Sequence, residues 1–179
     1  MDPENPDGEA SAFMRLQRQE QRPPAFAADP DFHRSWKGLA MIDVEYEAVT
    51  AAPADEIVEL YQSAGWWQES PEARAVIPAM IRGSLCFMIA RTLEGRIIGM
   101  ARVISDGHSD AYIQDVVVLK AYRGQGIGRE LVQRLTQFCV SRGIAWIGLV
   151  AEPGTQKIYE ELGFSPLVGY QPMLFGKRG

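Results

Sequence analysis

The spacing of apolar residues along the chain changes several times, and each change marks an element. Residues 41–48 alternate loosely between apolar and polar and read as a first strand. Thr50, Pro53 and the Asp55-Glu56 pair then signal a helix start, Ile57, Val58, Leu60 and Tyr61 supply its apolar face, and Gly65 stops it. Ser70 is a good N-cap with Pro71 in the first helical position, so a second helix runs towards Ile81 before Gly83 ends it. Pro78 inside that pattern is expected to kink or shorten it. Residues 85–92 and 96–105 are strand-like, with a Glu94-Gly95 turn between them. A second turn over 106–110 leads into a strand over 111–119, which predicts an antiparallel meander.

After Gly128 the period becomes helical. Leu131, Val132, Leu135, Phe138 and Cys139 form one stripe, and Gly143 is placed to end it in the left-handed conformation. Residues 145–151 read as another strand, and Gly154 or Thr155 opens a short helix carrying Ile158, Tyr159 and Leu162. Gly163 and Phe164 fit the two positions beyond a Schellman cap, which folds Phe164 back on Tyr159 or Ile158. Residues 167–175 read as a last strand. The order β-α-α-β-β-β-α-β-α-β is that of a mixed α/β layer, fold class α/β (α+β).

Residues 1–36 stand apart. Pro3, Pro6, Pro23, Pro24 and Pro30 interrupt a polar stretch with no sustained apolar period, so a flexible or extended arm is expected there, with a short helix around 12–21 allowed. Residues 37–179 are read as the domain. A chain of 179 residues with 46% hydrophobic content has ample material for one core. Its net charge of −5 argues against a general nucleic-acid or membrane-surface binder. No apolar run approaches the roughly 20 residues of a membrane span, and nothing resembles a secretory signal. Cys86 and Cys139 lie in apolar patterns and read as buried free thiols, so a cytoplasmic protein is expected. His108 lies in a turn between Asp106 and Asp110 without any known ligand spacing, so no metal is expected.

The chemistry-bearing stretch lies between the third meander strand and the long helix. The β-branched run Val116-Val117-Val118 has the composition of a buried strand. Gly124, Gly126 and Gly128 then let the backbone approach a ligand closely, and the first helix amides point back into the loop. A phosphate group suits that place. The run lacks the G-x-G-x-x-G of dinucleotide folds and the Gly-Lys-Ser/Thr of P-loops.

What does match is Arg123-Gly124-Gln125-Gly126-Ile127-Gly128, preceded by Val118 and Tyr122 at the expected offsets. It resembles the acetyl-CoA-binding motif of the GNAT superfamily of N-acetyltransferases. Tyr159-Glu160-Glu161-Leu162-Gly163-Phe164 is similar to the family's final-helix motif, and the likeness covers residues 41–175. The resemblance implies a mixed, mostly antiparallel central sheet flanked by helices, with a V-shaped splay between the fourth and fifth strands. It also implies acetyl-CoA as donor, with main-chain groups of Val116, Val117 and Val118 bonding the pantetheine. The amides of Gly124, Gln125, Gly126, Ile127, Gly128 and Arg129 would hold the pyrophosphate, with Arg123 and Arg129 adding positive charge. The implied reaction moves an acetyl group to a primary amine of a small molecule or peptide by direct transfer in a ternary complex. A homodimer is compatible with it. The alternative is a non-catalytic acyl-CoA-binding or regulatory domain of the same fold. The chain departs from the family pattern at Lys120, where proline is frequent, and at Pro153-Gly154-Thr155, where asparagine is frequent.

Three side-chain groups are candidates for the rest of the reaction. Tyr159 is a candidate general acid for the leaving thiolate, or an aromatic packing under Phe164. Asp115 interrupts an apolar strand, where a carboxylate is costly without a partner. It is a candidate base, acting directly or through a water, a ligand for the substrate ammonium, or a group bonded to nearby backbone, and a bulge would change the face it occupies. Tyr61, Trp66 and Trp67 are candidates to wall the acceptor pocket, with core packing as the other reading.

Overall fold

The computed structural model describes residues 42–176, and the arm expected over residues 1–36 lies outside them. Strand β1 (Val44–Ala48) is followed by helices α1 (Ala54–Ala64) and α2 (Pro71–Gly83). Strands β2 (Cys86–Thr92), β3 (Ile97–Ser105) and β4 (Asp110–Val118) come next, then helix α3 (Ile127–Ser141), strand β5 (Trp146–Leu149) and helix α4 (Gln156–Glu160). The sheet order is β1-β2-β3-β4-β5. The first four strands are antiparallel neighbours and β5 is parallel to β4, so the sheet is mixed and mostly antiparallel. A parallel pair needs a long crossover, and α3 supplies it.

Local chemistry places these elements. Gly95 takes a left-handed φ of 88° in the β2–β3 turn. In the turn before β4 the Asp106 carboxylate accepts from the His108 and Ser109 amides. Those bonds, Ser109's first, pull its pKa down to about 2. Pro53 stands at the α1 cap position without a side-chain cap bond, and Glu56 in the first turn accepts from the Ile97 amide at 2.8 Å, docking α1 on the start of β3. At the other end Gly65 adopts the left-handed C-cap. Ser70 caps α2 by accepting from the Ala73 amide at 3.0 Å. The helix continues through Pro78 to Gly83 instead of shortening. Pro78 is exposed, so the Arg74 carbonyl that loses its amide partner can be hydrated.

The core lies on both faces of β3. Ile57, Val58 and Leu60 of α1 and Ile127, Leu131, Leu135 and Cys139 of α3 are buried there. Gly99 on β3 makes room for α3: a Cβ would lie 3.2 Å from the Val117 carbonyl oxygen and 3.3 Å from Leu131 Cδ1. Both cysteines are buried free thiols, and burial pushes Cys139 up to about 11.

Residues 167–175 form no strand. Gly169, at φ 82°, turns the chain back within four residues, and the Tyr170 amide bonds the Leu167 carbonyl at 3.2 Å. Strand β5 ends at Leu149 and offers a short ladder, so Met173, Leu174 and Phe175 stay almost fully exposed.

Candidate active site

Strand β4 pairs with β5 only from Asp110 opposite Trp146 to Ile113 opposite Leu149. Beyond Ile113 it continues to Val118 with no β5 residue beside it. The two strands therefore part, and Val116, Val117 and Val118 lie along the open gap.

At the start of that gap β4 carries a bulge. Arg102 faces Gln114 and Met100 faces Val117, so two residues of β4 stand opposite Ala101. Asp115 takes a φ of 55°, the only positive value at a non-glycine among the described residues. Because side chains alternate along a strand, the extra residue carries Asp115 round to the α1 face. There its Oδ2 accepts from Tyr61 Oη at 2.8 Å and from Arg102 Nε at 2.5 Å. The two charged side chains are only 20% and 15% exposed. Burial, and then the Asp115 charge, push the Tyr61 phenol well above its usual range.

The aromatic trio divides between two contacts. Trp67 stacks on Tyr61, centroids 6.2 Å apart, and donates its indole N–H to Glu69 at 2.7 Å. Trp66, 43% exposed, reaches the β5–α4 loop and donates to Glu152 Oε1 at 3.1 Å. The end of α1 thus touches the β4 bulge through Tyr61, and the segment after it touches the β5–α4 loop through Trp66.

Past β4, the single turn Lys120–Tyr122 leads into the glycine loop. Gly124 and Gly126 have φ of 77° and 79°, and a Cβ on either would meet no atom within 4 Å. Conformation requires glycine here, and the space beside the backbone is open. Gly126 caps α3 without any side-chain bond to the helix amides, so the first-turn N–H groups face that space at the positive end of the dipole. Gln125 Oε1 is buried and meets no hydrogen-bond partner among the described residues. An uncapped helix start beside open glycines fits a bound diphosphate. The two arginines are engaged with protein. Arg123 donates to the carbonyls of Val118 (2.9 Å) and Ser63 (3.2 Å), pinning the loop to the ends of β4 and α1. Arg129 donates to Glu161 at 2.5 Å, tying α3 to the end of α4.

Tyr159 is half-buried on α4. Its ring meets Phe164 edge-on at 6.2 Å, held by the Schellman bonds Phe164 N–H to Tyr159 O (3.1 Å) and Gly163 N–H to Glu160 O (3.0 Å). Burial, then the Glu152 charge, raise its phenol, and a hydrogen bond with Thr155 opposes them. Two residues of this neighbourhood, Arg102 and Glu152, were not singled out in the sequence. Arg102 carried the same signal as Asp115, a charge inside an apolar strand. Glu152 carried none, because its partner is 86 positions away.

A sheet that splays beside an uncapped helix start leaves room for an extended, phosphate-bearing ligand. Residues 51–164 match the Acetyltransferase (GNAT) family, and the chain belongs to it. GCN5-related N-acetyltransferase 2, chloroplastic, from Arabidopsis thaliana is 42% identical over 71 residues, 40% of this chain and 28% of that protein. An N-acetyltransferase ycf52 of Pyropia yezoensis is 30% identical over 111 residues, 61% of this chain and 63% of that protein. The match thus spans less than a third of the first curated relatives' length. The fold is shared with AAC(6')-Iy, solved with the bisubstrate analogue CoA-S-monomethyl-acetylneamine, at a TM-score of 0.60 and 18% identity over 76% of this chain and 99% of that one.

Proposed function

We propose that this protein is an acetyl-CoA-dependent N-acetyltransferase that moves an acetyl group to a primary amine by direct transfer in a ternary complex. The observation that carries the reading is the opening of β4 from β5 after Ile113, directly ahead of the uncapped α3 start. Acetyl-CoA is the donor substrate. The amides of Gly124 to Arg129 hold its pyrophosphate, and the main chain of Val116, Val117 and Val118 receives the pantetheine in the gap. An amide of that strand edge polarises the thioester carbonyl. The amine attacks the carbonyl carbon, the C–S bond breaks, Tyr159 gives its phenolic proton to the leaving thiolate, and the proton that the nitrogen sheds as the amide forms passes to water, from which the phenolate is reprotonated.

Asp115 Oδ2 is already shared by Arg102 and Tyr61. We assign it to holding the bulge and the Tyr61 ring, and the ammonium proton leaves to water. Tyr61, Trp66 and Trp67 wall the acceptor side. A ternary complex is supported by the shared fold of AAC(6')-Iy, whose ligand is a bisubstrate analogue. The buried free thiols favour a reducing compartment such as the cytoplasm.

Thiol release from acetyl-CoA in the presence of a panel of primary amines tests the reading. Release that depends on one amine class supports it. Coenzyme binding with no release from any amine would instead favour an acyl-CoA-binding domain without catalysis.

A further inference from the structure

Three carboxylates stand around the aromatic trio, and their partners differ. Asp115 is paired with Arg102, and Glu69 with Arg74. Glu152 bonds the neutral indole of Trp66 through Oε1, while its main-chain oxygen receives the Thr155 hydroxyl. No arginine or lysine among the described residues pairs with its carboxylate, which is exposed to solvent. Glu152 follows the end of β5 by three positions, so it sits where the gap opens. Its charge bears on the Tyr159 phenol, which places it on the side of the proposed proton donor.

A primary alkylamine has a pKa of about 10 and arrives as an ammonium ion. The Glu152 carboxylate, which accepts the Trp66 indole N–H through one oxygen, offers such an ion its charge. Asp115 has Arg102 to itself and Glu69 shares Arg74 with Asp55, so of the three Glu152 is the carboxylate without a cationic partner among the described residues; its charge attracts an ammonium and repels an acceptor that carries its own carboxylate. The indoles of Trp66 and Trp67 supply flat apolar surface beside it. We infer that Glu152 and Trp66 form the acceptor-ammonium site, and that the acceptor is a small primary amine with an apolar body and no carboxylate of its own. This deepens, and rests on, the acetyltransferase reading.

The test is calorimetric titration of the CoA-saturated protein with phenethylamine and with phenylalanine, its α-carboxylate analogue. Thiol release from acetyl-CoA is measured in parallel. Wild-type protein should bind phenethylamine and discriminate against phenylalanine. Glu152→Gln should weaken phenethylamine by about two- to fivefold, the range open to an exposed ion pair, and should lose most of the discrimination. Glu152→Asp should recover part of it, and CoA affinity should be the same in all three proteins. Equal phenethylamine affinity in wild type and Glu152→Gln, or no preference for the monocation in wild type, overturns the inference. Selective binding without thiol release keeps the site and overturns the transferase reading.

Discussion

Arg102 Nε lies 2.5 Å from Asp115 Oδ2, across two neighbouring strands that are out of simple register. The contact exists only because β4 holds one residue more than β3 between the Gln114 and Val117 pairings. It joins a charge buried in an apolar sheet to the one position where the strand leaves its alternation. Tyr61 closes the same group from α1.

Breaking that pair should therefore cost stability in a graded way. Asp115→Ala leaves the mostly buried Arg102 without its counter-charge and puts alanine at a φ of 55°, so a loss of about 2–4 kcal/mol is expected. Asp115→Asn tolerates that φ and keeps an acceptor for both donors, so it should lose clearly less. Urea midpoints of the two variants check the order. An Asp115→Ala protein as stable as wild type would show that the bulge does not depend on the pair.

Much of this arrangement was legible in the chain because it depends on near neighbours. The Ser70 cap, the left-handed Gly65 and the fold of Phe164 back on Tyr159 each involve residues three to five positions apart. The splay lies between the strands on either side of the glycine loop, as the family motif implied. What could not be read depends on offsets between distant segments. Asp115 was suspected, but its partner depends on the register across the bulge. Glu152 depends on where two loops meet. Residues 167–175 misled because their apolar pattern suits a strand, whereas a strand also needs a partner edge and no turn within it. Pro78 does not shorten its helix, because at an exposed position the carbonyl it orphans can be hydrated.

The glycine loop should separate binding from folding. Gly126→Val places a β-branched side chain at a φ of 79°, which costs about 1–2 kcal/mol, but it meets no protein atom within 4 Å. The domain should stay folded. The new side chain would fill the open space before the α3 amides, so CoA affinity should drop below detection. Calorimetric titration with CoA decides: unchanged affinity in a folded variant removes the cradle from the donor site.

Gly99 makes the opposite kind of prediction. A Cβ there would press on Leu131 and on the Val117 carbonyl, at 3.3 and 3.2 Å. Gly99→Ala should lower stability by about 1–3 kcal/mol through overpacking between β3 and α3. Because α3 begins in the cradle, CoA affinity should fall with it. A stabilised protein in a thermal melt would mean that α3 shifts outward at little cost.

Tyr159 bears the most specific expectation. Tyr159→Phe keeps the ring, its edge-on contact with Phe164 and the Schellman bonds, so the melting temperature should change little. Thr155 loses one partner but still donates to the Glu152 carbonyl at 2.8 Å. Only the proton donor is gone, and kcat should fall by about 10²- to 10⁴-fold with acetyl-CoA affinity almost unchanged. The pH dependence adds a second readout. An acid catalyst works while protonated, and burial together with the Glu152 charge raises this phenol above its ordinary value of 10.0. Wild-type kcat should therefore stay high to about pH 10 and decline only above it. In Tyr159→Phe that alkaline decline should be absent. Full activity of the variant across the whole range would return Tyr159 to packing alone and leave the thiolate to be protonated by solvent.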